Sequence, residues 1–91
     1  MTVEVHSEIA GMTKEQYDQA IGQVGDQLRQ TPGFLYHVAG PMDGGYRIVE
    51  IWESPEDFDR FIQGTIMPLA QQVGIPPFEP KFYPVDNVVT R

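Results

Sequence analysis

Val3, Val5, Ser7 and Ile9 fall on one side of an alternating stretch, and Glu4, His6 and Glu8 on the other. A period of two is that of extended chain, so Thr2–Ala10 is expected to form a strand with one apolar face. The period then changes. After Gly11-Met12, the residues Tyr17, Ala20, Ile21, Val24 and Leu28 recur at helical spacing, with Lys14, Glu15, Asp18, Gln19 and Gln23 on the wet side. Thr13 with Gln16 three residues later is a capping box, each side chain satisfying an exposed amide of the other. Gly22 and Gly25 each cost such a helix about 1 kcal/mol relative to Ala, which a close approach to a sheet would offset. Thr31-Pro32-Gly33 ends it.

Phe34–Gly40 and Gly45–Glu53 read as two further strands, joined through the Asp43-Gly44 signal of a tight hairpin. Ser54-Pro55-Glu56-Asp57 then announces a helix. Serine caps it, proline brings a preset φ to the first turn, and two acids meet the positive end of the dipole. Phe58, Phe61, Ile62, Ile66, Leu69 and Val73 form its buried stripe. Pro68 has no N–H for the carbonyl of Gly64, so a kink or break is expected over residues 63–66. Beyond Gly74, residues Phe78–Val89 are extended but interrupted by Pro80 and Pro84, which places this strand at an edge or delays its start. The order βαββαβ, with right-handed crossovers, predicts one ferredoxin-like α+β domain over residues 1–91. It is an antiparallel four-stranded sheet with two helices on one face.

Two helices cover one face only, and a wet second face should alternate cleanly with polar residues. The first strand does so; the later ones do not. Phe34, Tyr36 and Val38 are expected opposite Leu35 and Ala39, Ile48 and Trp52 opposite Val49 and Ile51, and Phe82 and Val88 opposite Tyr83, Val85 and Val89. A sheet apolar on both faces calls for a second cover, which another copy supplies by two-fold symmetry. A homodimer closing into an α/β barrel is therefore expected. Composition sharpens this. With no cysteine, neither disulfides nor thiolate metal sites can support so small a core. The two histidines, His6 and His37, stand far apart, so no metal and no cofactor is expected. The net charge of −7, with six scattered Lys and Arg, leaves no basic patch for nucleic acid or an anionic membrane surface. No apolar run approaches the ~20 residues of a membrane span, and the first residues lack the layout of a secretory signal, so a cytoplasmic location is expected.

The hairpin also yields a candidate site. With a two-residue turn, paired positions sum to 87, which puts His37 opposite Glu50 and Leu35 opposite Trp52. With a four-residue loop they sum to 85, and His37 lies opposite Ile48, diagonal to Glu50. In both registers His37, Tyr46, Ile48, Glu50 and Trp52 share one side of the sheet. A carboxylate beside an imidazole fixes its tautomer and raises its basicity, as a general base requires. Trp52 would offer a flat wall to an aromatic ligand, and Tyr46 a second-line proton donor. The same pair also fits a structural role, as a buried polar contact satisfied by its partner. Arg47 points away from His37 in both registers. His6, between Glu4 and Glu8, reads as a solvated or interface residue.

The segments Pro32-Gly33-Phe34-x-x-His37-x-Ala39-Gly40-Pro41 and Gly44-Gly45-Tyr46-Arg47-Ile48-Val49-Glu50-Ile51-Trp52-Glu53-Ser54 resemble small bacterial proteins of the dimeric α/β-barrel superfamily, near the antibiotic biosynthesis monooxygenase-like families. Gly11-Met12-Thr13-x-Glu15-Gln16-Tyr17-Asp18 and Phe82-x-Pro84-Val85-x-Asn87-Val88 fit the same pattern, so the likeness spans nearly the whole chain. It implies the fold. The superfamily includes cofactor-independent oxygenases, polyketide cyclases, isomerases, haem-degrading enzymes and members without known activity, so function must be argued from the site. The haem-degrading pattern combines a strand Asn and Trp with a helix His as iron ligand; Trp52 matches, but neither helix here contains a histidine. Three functions stay in play. One is a cofactor-free monooxygenase, cyclase or isomerase acting on a small aromatic or polyketide-like carbon acid, with His37 as base. The others are a dimer that only binds a small apolar ligand, and an interaction module with no pocket.

Overall fold

The computed structural model describes residues 1–91. Strand β1 (Val3–Ala10) leads into helix α1 (Lys14–Gln30), strands β2 (Phe34–Met42) and β3 (Gly45–Trp52), and helix α2 (Pro55–Phe61). A π-helical turn (Ile62–Ile66), helix α3 (Met67–Val73) and strand β4 (Lys81–Pro84) complete the chain. The sheet order is β2-β3-β1-β4 with every neighbouring pair antiparallel, which is the split βαβ arrangement of a ferredoxin-like fold. The local signals behind it are realised. The Thr13 hydroxyl accepts from the Gln16 N–H at 3.1 Å, and the Gln16 side chain accepts from the Thr13 N–H at 3.0 Å. Ser54 caps α2 by accepting from the Asp57 N–H at 3.2 Å. In the hairpin Met42 pairs with Gly45, and Gly44 takes the positive φ of +75° that the turn needs.

The core lies between the helices and the inner face of the sheet. Trp52, Ile9 and Val5 are its most enclosed large side chains, joined by Val3, Val24, Leu28, Phe58, Phe61 and Leu69. Each such side chain contributes about 1.5–3 kcal/mol on burial, so the alternation read in β1 is what fixes this strand's register. No helix is long and apolar enough to cross a membrane.

Three details differ from expectation, and a fourth is realised in an unexpected form. A β-bulge between Phe34 and Tyr36 pairs Phe34, not Leu35, with Trp52. Phe34 therefore packs inward at 5.5 Å from the Trp52 ring, while Leu35, Tyr36 and Val38 are exposed. The interruption expected over residues 63–66 is present, and it takes the form of a π-helical turn over Ile62–Ile66 between α2 and α3. The ladder widens by one residue ahead of Pro68, with the Met67 N–H donating to the Ile62 carbonyl, so Phe61 and Leu69 both stay inward. The last strand keeps only Lys81–Pro84 of the expected Phe78–Val89, and it is an edge strand as the prolines require. The two helix glycines do not seat α1 on the sheet. A Cβ on Gly22 would meet nothing within 4 Å, and one on Gly25 only Ile21 at 3.9 Å.

Candidate functional site

The two-residue hairpin turn selects the register that sets His37 directly opposite Glu50. The side chains meet: His37 Nδ1 lies 2.6 Å from Glu50 Oε2. The other carboxylate oxygen, Oε1, accepts from the Trp52 indole N–H at 3.0 Å. A carboxylate only accepts, so Nδ1 carries the proton of this pair, and in the neutral imidazole Nε2 then presents its lone pair. Nε2 faces the Tyr17 hydroxyl at 2.7 Å, which donates to it in that tautomer. The result is a four-membered chain from Trp52 through Glu50 and His37 to Tyr17, drawn from β3, β2 and α1. It is largely shielded from water, with 16% of the His37 side chain and 9% of the Glu50 side chain exposed. No buried side-chain polar atom in the protein is left without a partner.

In the sequence Tyr17 reads as one more apolar position on the α1 stripe, with nothing to mark it as a site residue. It lies on the first turn after the Thr13 cap, and its ring stacks on Tyr46 with centroids 5.0 Å apart and planes 19° apart. Burial pushes the Tyr17 phenol above its usual range, and the neighbouring Tyr46, Glu50 and Asp18 add to the shift. It therefore holds its proton and suits the role of hydrogen-bond donor. Tyr46 is buried and does not line the cavity beside His37, so the expected ligand contact and second-line proton donor is instead a support that stacks on Tyr17.

A cavity of about 70 Å³ opens between α1, the α2–α3 region and the inner sheet face. Fourteen of its 17 lining residues are hydrophobic, and the remaining three are Ser7, His37 and Glu50. The Tyr17 side chain lines it too. Ser7 is the polar exception on the apolar face of β1, a signal present in the alternation itself. Trp52 is not among the lining residues. It is fully enclosed by Phe34, Phe58 and Phe61, at 5.5, 5.9 and 5.6 Å between ring centroids. The expectation that Trp52 forms a ligand wall is thus corrected. The bulge and the α2 aromatics cover it, and its indole N–H holds Glu50 in place. Arg47 lies on the far side of the sheet, as its register demands. No group of three or more His, Cys, Asp and Glu is placed to share a metal ion.

Chemically, the site joins a base whose lone pair is held by a displaceable phenol, a carboxylate that stabilises the protonated imidazole, and an apolar hollow beside them. Sequence comparison finds no matching protein family and no matching curated relative. Solved structures match closely in fold. SnoaB, a cofactor-independent oxygenase from Streptomyces nogalater, superposes with a TM-score of 0.68 over 99% of this chain and 97% of that one, at 15% identity. Rv0793 from Mycobacterium tuberculosis gives 0.73 over 98% and 100%, at 16% identity. A protein from Chloroflexus aurantiacus, described as a candidate antibiotic biosynthesis monooxygenase, gives 0.67 over 98% of each chain, at 18% identity. The chain thus shares the ferredoxin-like fold of antibiotic biosynthesis monooxygenase-type proteins from end to end.

Proposed function

We propose that the chain is an acid–base enzyme that works without a bound cofactor on a small aromatic or polyketide-like carbon acid, with His37 as the base. The observation that carries this reading is the Glu50–His37–Tyr17 chain ending at the wall of an apolar cavity. A ligand carbonyl entering the cavity takes over the Tyr17 hydroxyl, which frees Nε2. The C–H proton then passes to Nε2, and its electron pair moves onto the ligand as an enolate. Tyr17, and Ser7 from β1, donate to the enolate oxygen, while Glu50 stabilises the charged imidazole. The resulting carbanion can add dioxygen, close a ring or be reprotonated elsewhere. The likeness to a cofactor-independent oxygenase favours the first.

The same reading takes the protein as a homodimer through the outer face of the sheet. Tyr36, Val38 and Tyr83 remain 46%, 41% and 47% exposed there, which a second copy would cover.

Anthrone provides a direct test, because its methylene is acidified by both flanking rings and the ring ketone. Anthrone plus one dioxygen gives anthraquinone plus one water, which an oxygen electrode and the quinone absorbance both follow. His37→Gln should lower the rate by on the order of 10²–10⁴-fold with an unchanged circular dichroism spectrum. A His37→Gln protein as fast as wild type would sink the proposal. Wild-type protein that binds anthrone yet never turns it over would indicate a ligand-sequestering dimer instead.

A further inference from the structure

The cavity beside His37 is small. At about 70 Å³ it is roughly half the size of an apolar cavity of about 150 Å³ that admits benzene. A fused aromatic ligand therefore cannot lie wholly within it. A second, larger hollow of about 320 Å³ lies on the outside of the molecule, between α1 and the β2 edge. Ile21, Leu28 and His37 line both hollows, so these three side chains form the partition between them. The rest of the outer groove includes Gly25, Arg29 and Leu35.

Two irregularities of the chain meet at this groove. The β-bulge turns Leu35 outward; in an unbroken ladder it would lie opposite Trp52, on the inner face. Bulges commonly re-aim side chains beside sites in this way. Gly25 sits in mid-helix at an ordinary φ, and its missing side chain serves no close approach, since an added Cβ would touch only Ile21 at 3.9 Å. Anything longer than a methyl group there would grow into the groove. Arg29, one helical turn along, supplies the groove's cation. It is partnered by Asp26 at 3.0 Å, but with 78% and 91% of the two side chains exposed this pair is weak and readily exchanged.

Resting on the reading of His37 as the reactive group, we propose that this groove is the mouth of the cavity and that it takes an aromatic carboxylate. The acidic carbon reaches past Ile21 to His37, the rings lie over Gly25 and Leu35, and the carboxylate pairs with Arg29. This assigns Gly25 and Arg29 as specificity-determining residues for the size and charge of the ligand.

Binding tests this without turnover. 2-Naphthoate and its uncharged counterpart 2-naphthamide are titrated into the intact ¹⁵N-labelled protein, and amide shifts are followed. In wild type both should perturb Gly25, Leu35 and His37, with naphthoate the tighter. Gly25→Ala should leave both affinities within twofold, showing that α1 tolerates a side chain there. Gly25→Leu should weaken both at least tenfold. Arg29→Gln should weaken naphthoate about fivefold and leave naphthamide within twofold, and Asp26→Asn should strengthen naphthoate alone. Failure of both probes to bind wild type, shifts confined to the opposite sheet face, or unaltered affinities in Gly25→Leu would each overturn the mouth. None of these outcomes bears on His37 turnover. An active His37→Gln protein that still binds naphthoate here would overturn the enzymatic reading and leave the groove standing.

Discussion

Two histidine–carboxylate pairs occupy opposite faces of the one sheet, and their bond lengths hardly differ. His37 meets Glu50 at 2.6 Å on the inner face, and His6 meets Glu4 at 2.7 Å on the outer. The surroundings differ in every other respect. The inner side chains are 16% and 9% exposed, the outer 42% and 38%. Glu50 also takes the Trp52 indole N–H, and His37 also takes the Tyr17 hydroxyl. His6 has only the edge of Tyr83, with ring centroids 5.2 Å apart. Such a histidine–carboxylate contact in water contributes little. The same pair enclosed, with its remaining atoms engaged, becomes a directed base. The pairing therefore does not define the site; the second contacts and the apolar hollow do.

Activity provides the largest expected contrast. His37→Gln should cost on the order of 10²–10⁴-fold in anthrone oxygenation, whereas His6→Gln should stay within about twofold, as expected of a general base set against a weak surface pair. Equal losses in the two variants, measured as initial rates at matched concentration, would refute the division of labour between the faces.

Stability should follow next. Glu50→Ala removes the acceptor of two enclosed donors, the Trp52 N–H and the His37 Nδ1–H. The expected loss is about 2–4 kcal/mol, or a fall of at least about 8 °C in Tm at about 4–8 °C per kcal/mol for a domain of this size. Glu50→Gln keeps an oxygen for Trp52 and should lose clearly less. Urea unfolding of the two variants measures the difference. If both unfold at the wild-type midpoint, the chain from Trp52 to His37 is not held together by its carboxylate.

Tyr17 gives a smaller and pH-dependent effect. Its phenol is raised above the ordinary tyrosine value of 10.0 in the folded chain, so the folded state binds that proton more tightly than the unfolded one. The resulting stability is fully present below the unfolded value near 10.0 and is lost as pH rises through the higher folded value. Tyr17→Phe gives up one hydrogen bond, about 0.5–1.5 kcal/mol, and with it this alkaline decline. The gap between wild type and variant should be level up to pH 10 and narrow above it, as read from denaturant unfolding at a series of pH values. A gap that widens above pH 10 would contradict the assigned shift.

Much of this arrangement was legible in the sequence, for local reasons. The Thr13 box, the Ser54-Pro55 start and the Asp43-Gly44 turn are decided by residues within four positions of one another. The turn length alone places His37 opposite Glu50, because register is arithmetic once the turn is known. What was not legible depends on contacts between distant elements. The bulge at Leu35 trades one ladder position for the burial of Phe34 against Trp52, which no alternation rule contains. Tyr17 reaches His37 only because α1 crosses the sheet at one particular height. Trp52 reads as a ligand wall until Phe58 and Phe61 arrive from α2 to enclose it. Ser7 was visible as a polar residue on an apolar face, but its meaning depends on the hollow above it.

The outer pair supplies the smallest effect and the one that sharpens the comparison further. In a single chain, Glu4→Ala removes a half-exposed partner and should change the unfolding free energy by no more than about 0.5 kcal/mol. In the proposed dimer the outer face is enclosed by its copy, and His6 loses the carboxylate that would offset its burial. Dimerisation stabilises the folded chain by mass action, so the wild-type Tm should rise with protein concentration, by an amount set by the dissociation constant. Glu4→Ala should flatten that rise while leaving the dilute-limit Tm close to wild type. Scanning calorimetry over a hundredfold range of concentration separates the two contributions. If neither protein's Tm depends on concentration, the outer face is not an interface. His6 and Glu4 are then no more than a solvated pair, and the asymmetry between the two faces is complete within one chain.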